Sequence, residues 1–340
     1  HQRPDGELHR RHPVRLLGPE DTAMTTQAML PEPTGAPRRD IGSTVVPALK
    51  GPASPWRVFT RAVATIWSNN KARLGLVVLG VFVLLALLAP LIAPYGASEN
   101  GFGRNQPGSA AHWFGTTAAG EDVLSQVVFG ARISVLVGFL AGALSTLIAV
   151  LVGLSWGYVR GPLADVVNFV VNLFLVIPGL PLMIVVAAYL QNGGLAMIIF
   201  VVVITGWAWG ARVLRSQTQS LRGRDFVTAA QFAGEGSWRV VFREILPNMT
   251  SLIAGSFFGA ATAAILAEAG LSFLGVGDTT TVSWGSMLFW AQNSNAILTG
   301  QWVLLFAPGL CIALLATSLT LINFGVDGLS NPRLREGAGR

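Results

Sequence analysis

A single cysteine, Cys311, stands in this chain of 340 residues. No intramolecular disulfide can staple it, so its stability must come from packing. Charge is scarce as well. Asp, Glu, Lys and Arg make up 12% of the sequence, half of the roughly 25% typical of soluble domains. Two soluble domains, which the length alone would allow, are thereby excluded. Lysine occurs only as Lys50 and Lys71, and Leu49 and Asn70 occupy the places where GxxxxGK[ST] needs glycine. The sequence therefore shows no phosphate-binding loop, and ATP-driven work would need an ATPase on a partner. The four histidines are His1, His9, His12 and His112, none of them inside an apolar run.

What is abundant is apolar surface, at 52% of residues. That is too much for a disordered chain and marks a polytopic membrane protein. The net charge of +6 does not point to nucleic acid. Basic residues that flank apolar spans hold loops at an anionic membrane surface. Residues 1–55 are rich in Pro, Arg, Gly and Thr, lack apolar periodicity, and read as a disordered tail. Met24 opens a plausible start (MTTQAMLPEP), which leaves residues 1–23 as an upstream extension or an artificial addition. Over 56–72, Trp56, Val58, Phe59, Ala62, Val63, Ile66 and Trp67 recur at helical spacing, with Arg57 and Arg61 on the polar side. This is an amphipathic helix lying on the membrane, or a solvated extension of the first span.

Six spans follow, at 74–92, 133–157, 166–190, 195–211, 251–271 and 302–324, each near the ~20 apolar residues that cross a bilayer. The expected fold is all-α, with residues 73–132 forming the first span and an outer loop. The other five spans form a core over 133–326, and 327–340 is a tail. Pro90, Pro178, Pro181 and Pro308 lie inside spans and are expected to bend them. Lys and Arg cluster before the first span, in the 212–250 loop and after the last span, and are absent from 191–194 and 272–301. The positive-inside rule then places both termini and the 212–250 loop in the cytoplasm. The 96–131 segment fits less cleanly, since Arg104 and neighbouring Arg132 accompany Glu99, Glu121 and Asp122.

The 212–250 loop contains two short apolar helices, 226–232 and about 238–245, separated by Gly234 and Gly236 and closed by Pro247. Small Ala229 and Ala230 permit close approach and Gly234 a sharp turn, so the element can dock into a groove on another protein. A packed amphipathic connector is the alternative. The run TAAQFAG, a spacer and ILP resembles the EAA signature (EAA-x₃-G-x₉-I-x-LP) of bacterial ABC-importer permeases. Thr228, Ala229, Ala230, Gly234, Leu246 and Pro247 fall on its positions; Thr228 replaces the usual Glu, and Glu244 replaces an apolar residue. HWFGTTAAGEDVLSQVVFGARISV at 112–135 resembles a block of the second, C-type permease of dipeptide/oligopeptide importers, with Glu121 where that block carries Arg. LAEAGLSFLGVG at 266–277, SWGSML at 283–288 and NFGVDGLSNPRLR at 323–335 resemble further blocks of the same subunit.

The resemblance implies the type I ABC-importer permease fold in the inner membrane and no catalysis by this chain. It further implies a heterodimer with a homologous permease, two ATPase subunits using ATP and Mg, an extracytoplasmic substrate-binding protein, and peptide as cargo. Phe226, Thr228, Ala229, Ala230, Gly234, Leu246 and Pro247 are then the ATPase-coupling residues. Candidates to line a pathway are Asn168 and Asn172, which share a helical face, together with Glu268 and Ser272. Glu268 either meets cargo or pairs with a polar group of the neighbouring subunit; the asparagines either line the path or join helices. Glutathione or a nickel chelate is the alternative cargo, and a stand-alone ion-coupled carrier the alternative mechanism. A serine protease at Gly270–Gly275 lacks a histidine base. No metal cluster is expected in the spans, no cofactor on this chain, and no nucleic acid as partner.

Overall fold

The computed structural model describes residue 67, residues 69–190 and residues 194–330, with side chains as far as 326 in the last stretch. The N-terminal tail, most of the amphipathic 56–72 segment, and residues 331–340 lie outside the described residues. Helix α1 is Asn70–Ile92. It starts where Asn69 Oδ1 accepts the amides of Lys71 (3.0 Å) and Ala72 (3.3 Å), satisfying donors that the first turn leaves without partners. A loop held by one antiparallel bridge, Thr116 to Asp122, leads to α2, Val123–Tyr158.

Helix α2 begins ten residues before the expected 133 because Asp122 caps it. The Asp122 carboxylate takes the Ser125 amide at 2.8 Å and the Ser125 hydroxyl at 2.7 Å. His112 Nδ1 lies 2.9 Å from its other oxygen. The division placed at 132/133 therefore falls inside one 36-residue helix, about 54 Å long and longer than a ~30 Å hydrocarbon layer.

The span expected at 166–190 is two helices, α3 (Pro162–Val176) and α4 (Gly179–Leu190), meeting at 96°. Pro178 has no amide to donate and forces Ile177 into extended backbone, φ −70° and ψ 128°. Neither piece alone crosses a bilayer. Among the described residues five helices are long and apolar enough to do so, and a sixth crossing exists if the bent pair is one span. Pro181 lies in the first turn of α4, whereas Pro90 and Pro308 remain inside helices.

Helix α5, Leu195–Arg222, runs eleven residues past the expected end, since charge alone does not stop a helix. Helix α6 is Asp225–Phe232. Residues 237–249 then wind as a short α-turn, a π segment Val240–Ile245 and a 3₁₀ turn Leu246–Met249 into α7, Thr250–Phe273. Pro247 thus does not close the segment. The widened π turn ahead of it absorbs the missing amide, and Asn248 Nδ2 donates to the Glu244 carbonyl at 2.7 Å. Helix α8 is Trp284–Asn293, and α9 is Val303–Ser330. Residues 327–330, expected in the tail, belong to α9.

Helix α2 is central, flanked by α5, α7 and α1. Four of its five glycines come in two pairs, and the fifth, Gly130, abuts Trp284. At Gly142, a β-carbon would sit 2.8 Å from Ala261 Cα, and at Gly138 2.5 Å from the Ile265 side chain, both on α7. About three turns on, Gly153 and Gly157 press against Ala211, Leu214 and Thr218 of α5. Small residues at fourfold spacing let membrane helices approach backbone to backbone. Outward-facing leucines such as Leu84, Leu87 and Leu91 are exposed, as lipid-facing positions should be.

Candidate functional site

The coupling residues read from the sequence gather at the end of the bundle that carries Arg212, Arg215, Arg222, Arg224, Arg239 and Arg243. Val227 is fully buried and pins α6 against Val240, Val241 and Ile245 of the π segment and Leu214 of α5. Ala230 and Leu246 pack against the same cluster. Thr228 is exposed and its hydroxyl donates to the Arg224 carbonyl at 3.3 Å. Ala229 and Pro247 are also exposed.

Helix α6 ends in a Schellman turn. Glu235 N–H reaches the Ala230 carbonyl at 3.1 Å and Gly234 N–H the Gln231 carbonyl at 3.0 Å, with Gly234 at φ +81°. A β-carbon at Gly234 would meet nothing within 4 Å. The turn is therefore not close-packed; glycine is required there by backbone angle alone. Gln231 Nε2 donates to the Tyr158 hydroxyl at 3.0 Å, tying α6 to the end of α2.

Beside polar groups, α6 and its neighbour leave three large aromatic side chains uncovered. Phe232 is 89% exposed, Trp238 71% and Phe226 37%. Trp238 stacks on Phe242 at 4.0 Å between ring centroids. Of these only Phe226 was singled out in sequence. Phe232 and Trp238 read as part of an amphipathic pattern, and only the structure shows that their side is uncovered.

The four pathway candidates do not form one site. Asn168 and Asn172 sit on α3 at the arginine end. Asn172 Oδ1 accepts from Arg212, Asn168 Oδ1 accepts from Arg215 at 3.5 Å, and Arg215 lies 3.9 Å over the Trp156 ring. They join α3 to α5. Glu268 and Ser272 lie at the other end of α7, about 27 Å along it from Thr250 at 1.5 Å per residue. Both are buried, Glu268 to 1% exposure. Its carboxylate accepts Ser283 Oγ at 2.7 Å, Ser272 Oγ at 3.0 Å and Ser134 Oγ at 3.3 Å. All three partners belong to this chain.

A groove between α2, α5, α7 and α9 was missed. It encloses about 380 Å³ and presents Ser145, Thr146, Ser256 and Asn323 among glycines 206, 210, 255 and 259. Thr146 Oγ1 and Asn323 Oδ1 have no hydrogen-bond partner among the described residues. The sequence signal was the repeated small residue on two separate spans, legible only once those spans are known to face one another. No group of three His, Cys, Asp or Glu side chains among the described residues could hold a metal ion.

Residues 149–336 match the family described as binding-protein-dependent transport system inner membrane component, and residues 54–107 match the N-terminal transmembrane domain of oligopeptide transport permease C. The chain is 31% identical over 299 residues to the dipeptide transport system permease protein DppC of Bacillus subtilis, covering 87% of this chain and 90% of that protein. It is 32% identical over 272 residues to the oligopeptide transport system permease protein OppC of the same organism, covering 79% and 88%. Against the OppC of Mycobacterium tuberculosis it is 34% identical over 275 residues, covering 79% and 92%. With more than half its length matched to one family and its relatives aligned nearly end to end, this chain belongs to the family of binding-protein-dependent transport system inner membrane components.

Proposed function

We propose that this permease moves short peptides across the cytoplasmic membrane as one half of a heterodimer driven by two separate ATPase subunits. It carries no catalytic machinery of its own and has the type I importer permease fold. The observation that carries the reading is α6, a short helix with exposed aromatic side chains, held to the bundle by buried Val227 and by the Gln231–Tyr158 hydrogen bond. Exposed Phe226, Phe232 and Trp238 offer a partner about the surface of three anchor side chains. ATP-driven closure of the partners would push α6, and Val227 would pass that motion to α5 and α7. Such coupling requires ATP to favour one of two states of the assembly.

The arginines around α6 support placing this end in the cytoplasm, with the α3–α4 pair counted as one crossing. The groove of Ser145, Thr146, Ser256 and Asn323 is this chain's share of the pathway. Neutral hydroxyls and amides can exchange hydrogen bonds with a passing peptide backbone without trapping it. Peptide is favoured over glutathione or a nickel chelate because the relatives are named as dipeptide and oligopeptide permeases.

Reconstitution tests this. The chain alone should neither hydrolyse ATP nor accumulate dipeptide under a proton or sodium gradient. With its partner permease, ATPases and binding protein, uptake should need ATP and survive collapse of the gradient. The ion-coupled carrier predicts gradient-driven uptake by the single chain, abolished by Glu268→Gln; that result would overturn the importer. Competition by glutathione or nickel chelate, but not by dipeptide, would replace the cargo.

A further inference from the structure

At the end of the bundle opposite α6, a cavity of about 340 Å³ opens between the 98–126 region, the 279–282 loop, α8 and Leu304 of α9. The volume is that of a small-molecule site. One wall is apolar, with Val282, Met287, Trp290 and Leu304. Facing it is a single ionisable group, Glu121, and no Lys, Arg or His lines the cavity.

Glu121 is held in place before any ligand arrives. Its amide donates to Thr117 Oγ1 at 3.2 Å, and its carbonyl accepts the Thr117 amide at 2.9 Å. One carboxylate oxygen, Oε2, accepts Gln126 Nε2 at 2.8 Å and Thr117 Oγ1 at 3.2 Å. The other, Oε1, accepts from none of the described residues. A fixed carboxylate with one free oxygen, opposite an indole and aliphatic side chains, is the complement of an ammonium group carried on an apolar body. Trp290 is fixed too, its Nε1 donating to the Thr279 carbonyl at 3.0 Å.

We infer that this cavity binds an ammonium group through Glu121, and that its occupant in the importer is the free amino terminus of a short peptide. The choice of peptide rests on the function proposed above; the ammonium chemistry stands on the side chains alone. Glu121 gives the cavity its one carboxylate, and that charge is the determinant of what it admits.

The test is calorimetric titration of the purified full chain in lipid nanodiscs with Ala-Phe, with N-acetyl-Ala-Phe and with n-butylammonium. Ala-Phe should bind about tenfold or more tightly than its acetylated form, the loss expected for one charge-assisted hydrogen bond. Glu121→Gln, which keeps an acceptor for Gln126 and Thr117, should abolish that preference without shifting the melting temperature, and Glu121→Arg should reverse it. Equal affinity for the two peptides, or an unchanged preference in Glu121→Gln, overturns the site. Glu121-dependent binding of butylammonium without binding of Ala-Phe overturns the peptide as occupant and keeps the ammonium. ATP-driven dipeptide uptake by a complete complex carrying Glu121→Gln, measured in parallel, separates failure of this site from failure of the importer reading.

Discussion

A carboxylate inside an apolar helix needs an internal explanation, and Glu268 has one. Three hydroxyls from three elements, Ser134 on α2, Ser272 on α7 and Ser283 at the start of α8, converge on it. Ser283 also caps α8, exchanging hydrogen bonds with Ser286. Glu268 therefore fixes where α8 begins. Replacing it by Ala strands those hydroxyls, and a loss of about 2–4 kcal/mol is expected, with Gln costing much less because it still accepts. Thermal unfolding of both variants checks this; an Ala variant that melts with the wild type would remove the lock. Asp278, exposed beyond α7, is a different case. The Thr280 hydroxyl at 2.5 Å, the Thr280 amide at 2.9 Å and the Thr281 hydroxyl at 2.8 Å hold its carboxyl below the usual value of 3.8. A lowered folded-state pKa means the turn is favoured above 3.8 and weakens only as pH falls through the shifted value. Hydrogen exchange at the Thr280 amide should stay slow down to that range and quicken below it, whereas Asp278→Asn should show no such dependence.

At the scale of elements, the close approach of α2 to α7 and the turn after α6 make opposite demands on glycine. Gly142 is constrained by space, because a side chain there meets the Ala261 backbone. Gly142→Val is expected to destabilise by at least about 1–3 kcal/mol through overpacking. Gly80→Val, at a site on α1 with nothing within 4 Å, should be close to neutral; a melting comparison of the pair decides. Gly234 is constrained by angle, with open space around it. Asn, which tolerates left-handed backbone, should keep transport near wild type, while Val should cost roughly 1–2 kcal/mol locally and disturb the turn. The readout is transport per ATP hydrolysed in the assembled complex: hydrolysis retained with transport lost identifies α6 as the coupling element. Unimpaired transport in Gly234→Val would show that the turn has no part in it.

For the whole molecule, the sequence assigns nothing to bury over residues 1–50, so their deletion should leave assembly and ATP-driven uptake intact. Loss of either in the purified complex would reveal a partner contact. The apolar runs near α1, α2, α5, α7 and α9 were legible because hydropathy is a sum over neighbours in the chain, and a bilayer reads that same sum. The turn at Gly234 and the small face of α6 were legible for a related reason, since turn chemistry is local. The 96° break at Ile177–Pro178 was half legible: proline predicts a bend, but its size follows from what the two halves pack against. Glu268 and Ser134 lie 134 positions apart, and no local pattern announces that they meet. The groove of hydroxyls between α2, α5, α7 and α9 and the uncovered ring of Phe232 were likewise decided by tertiary structure. Burial is a property of neighbours in space, and a helix's sequence shows its faces without showing what each face touches.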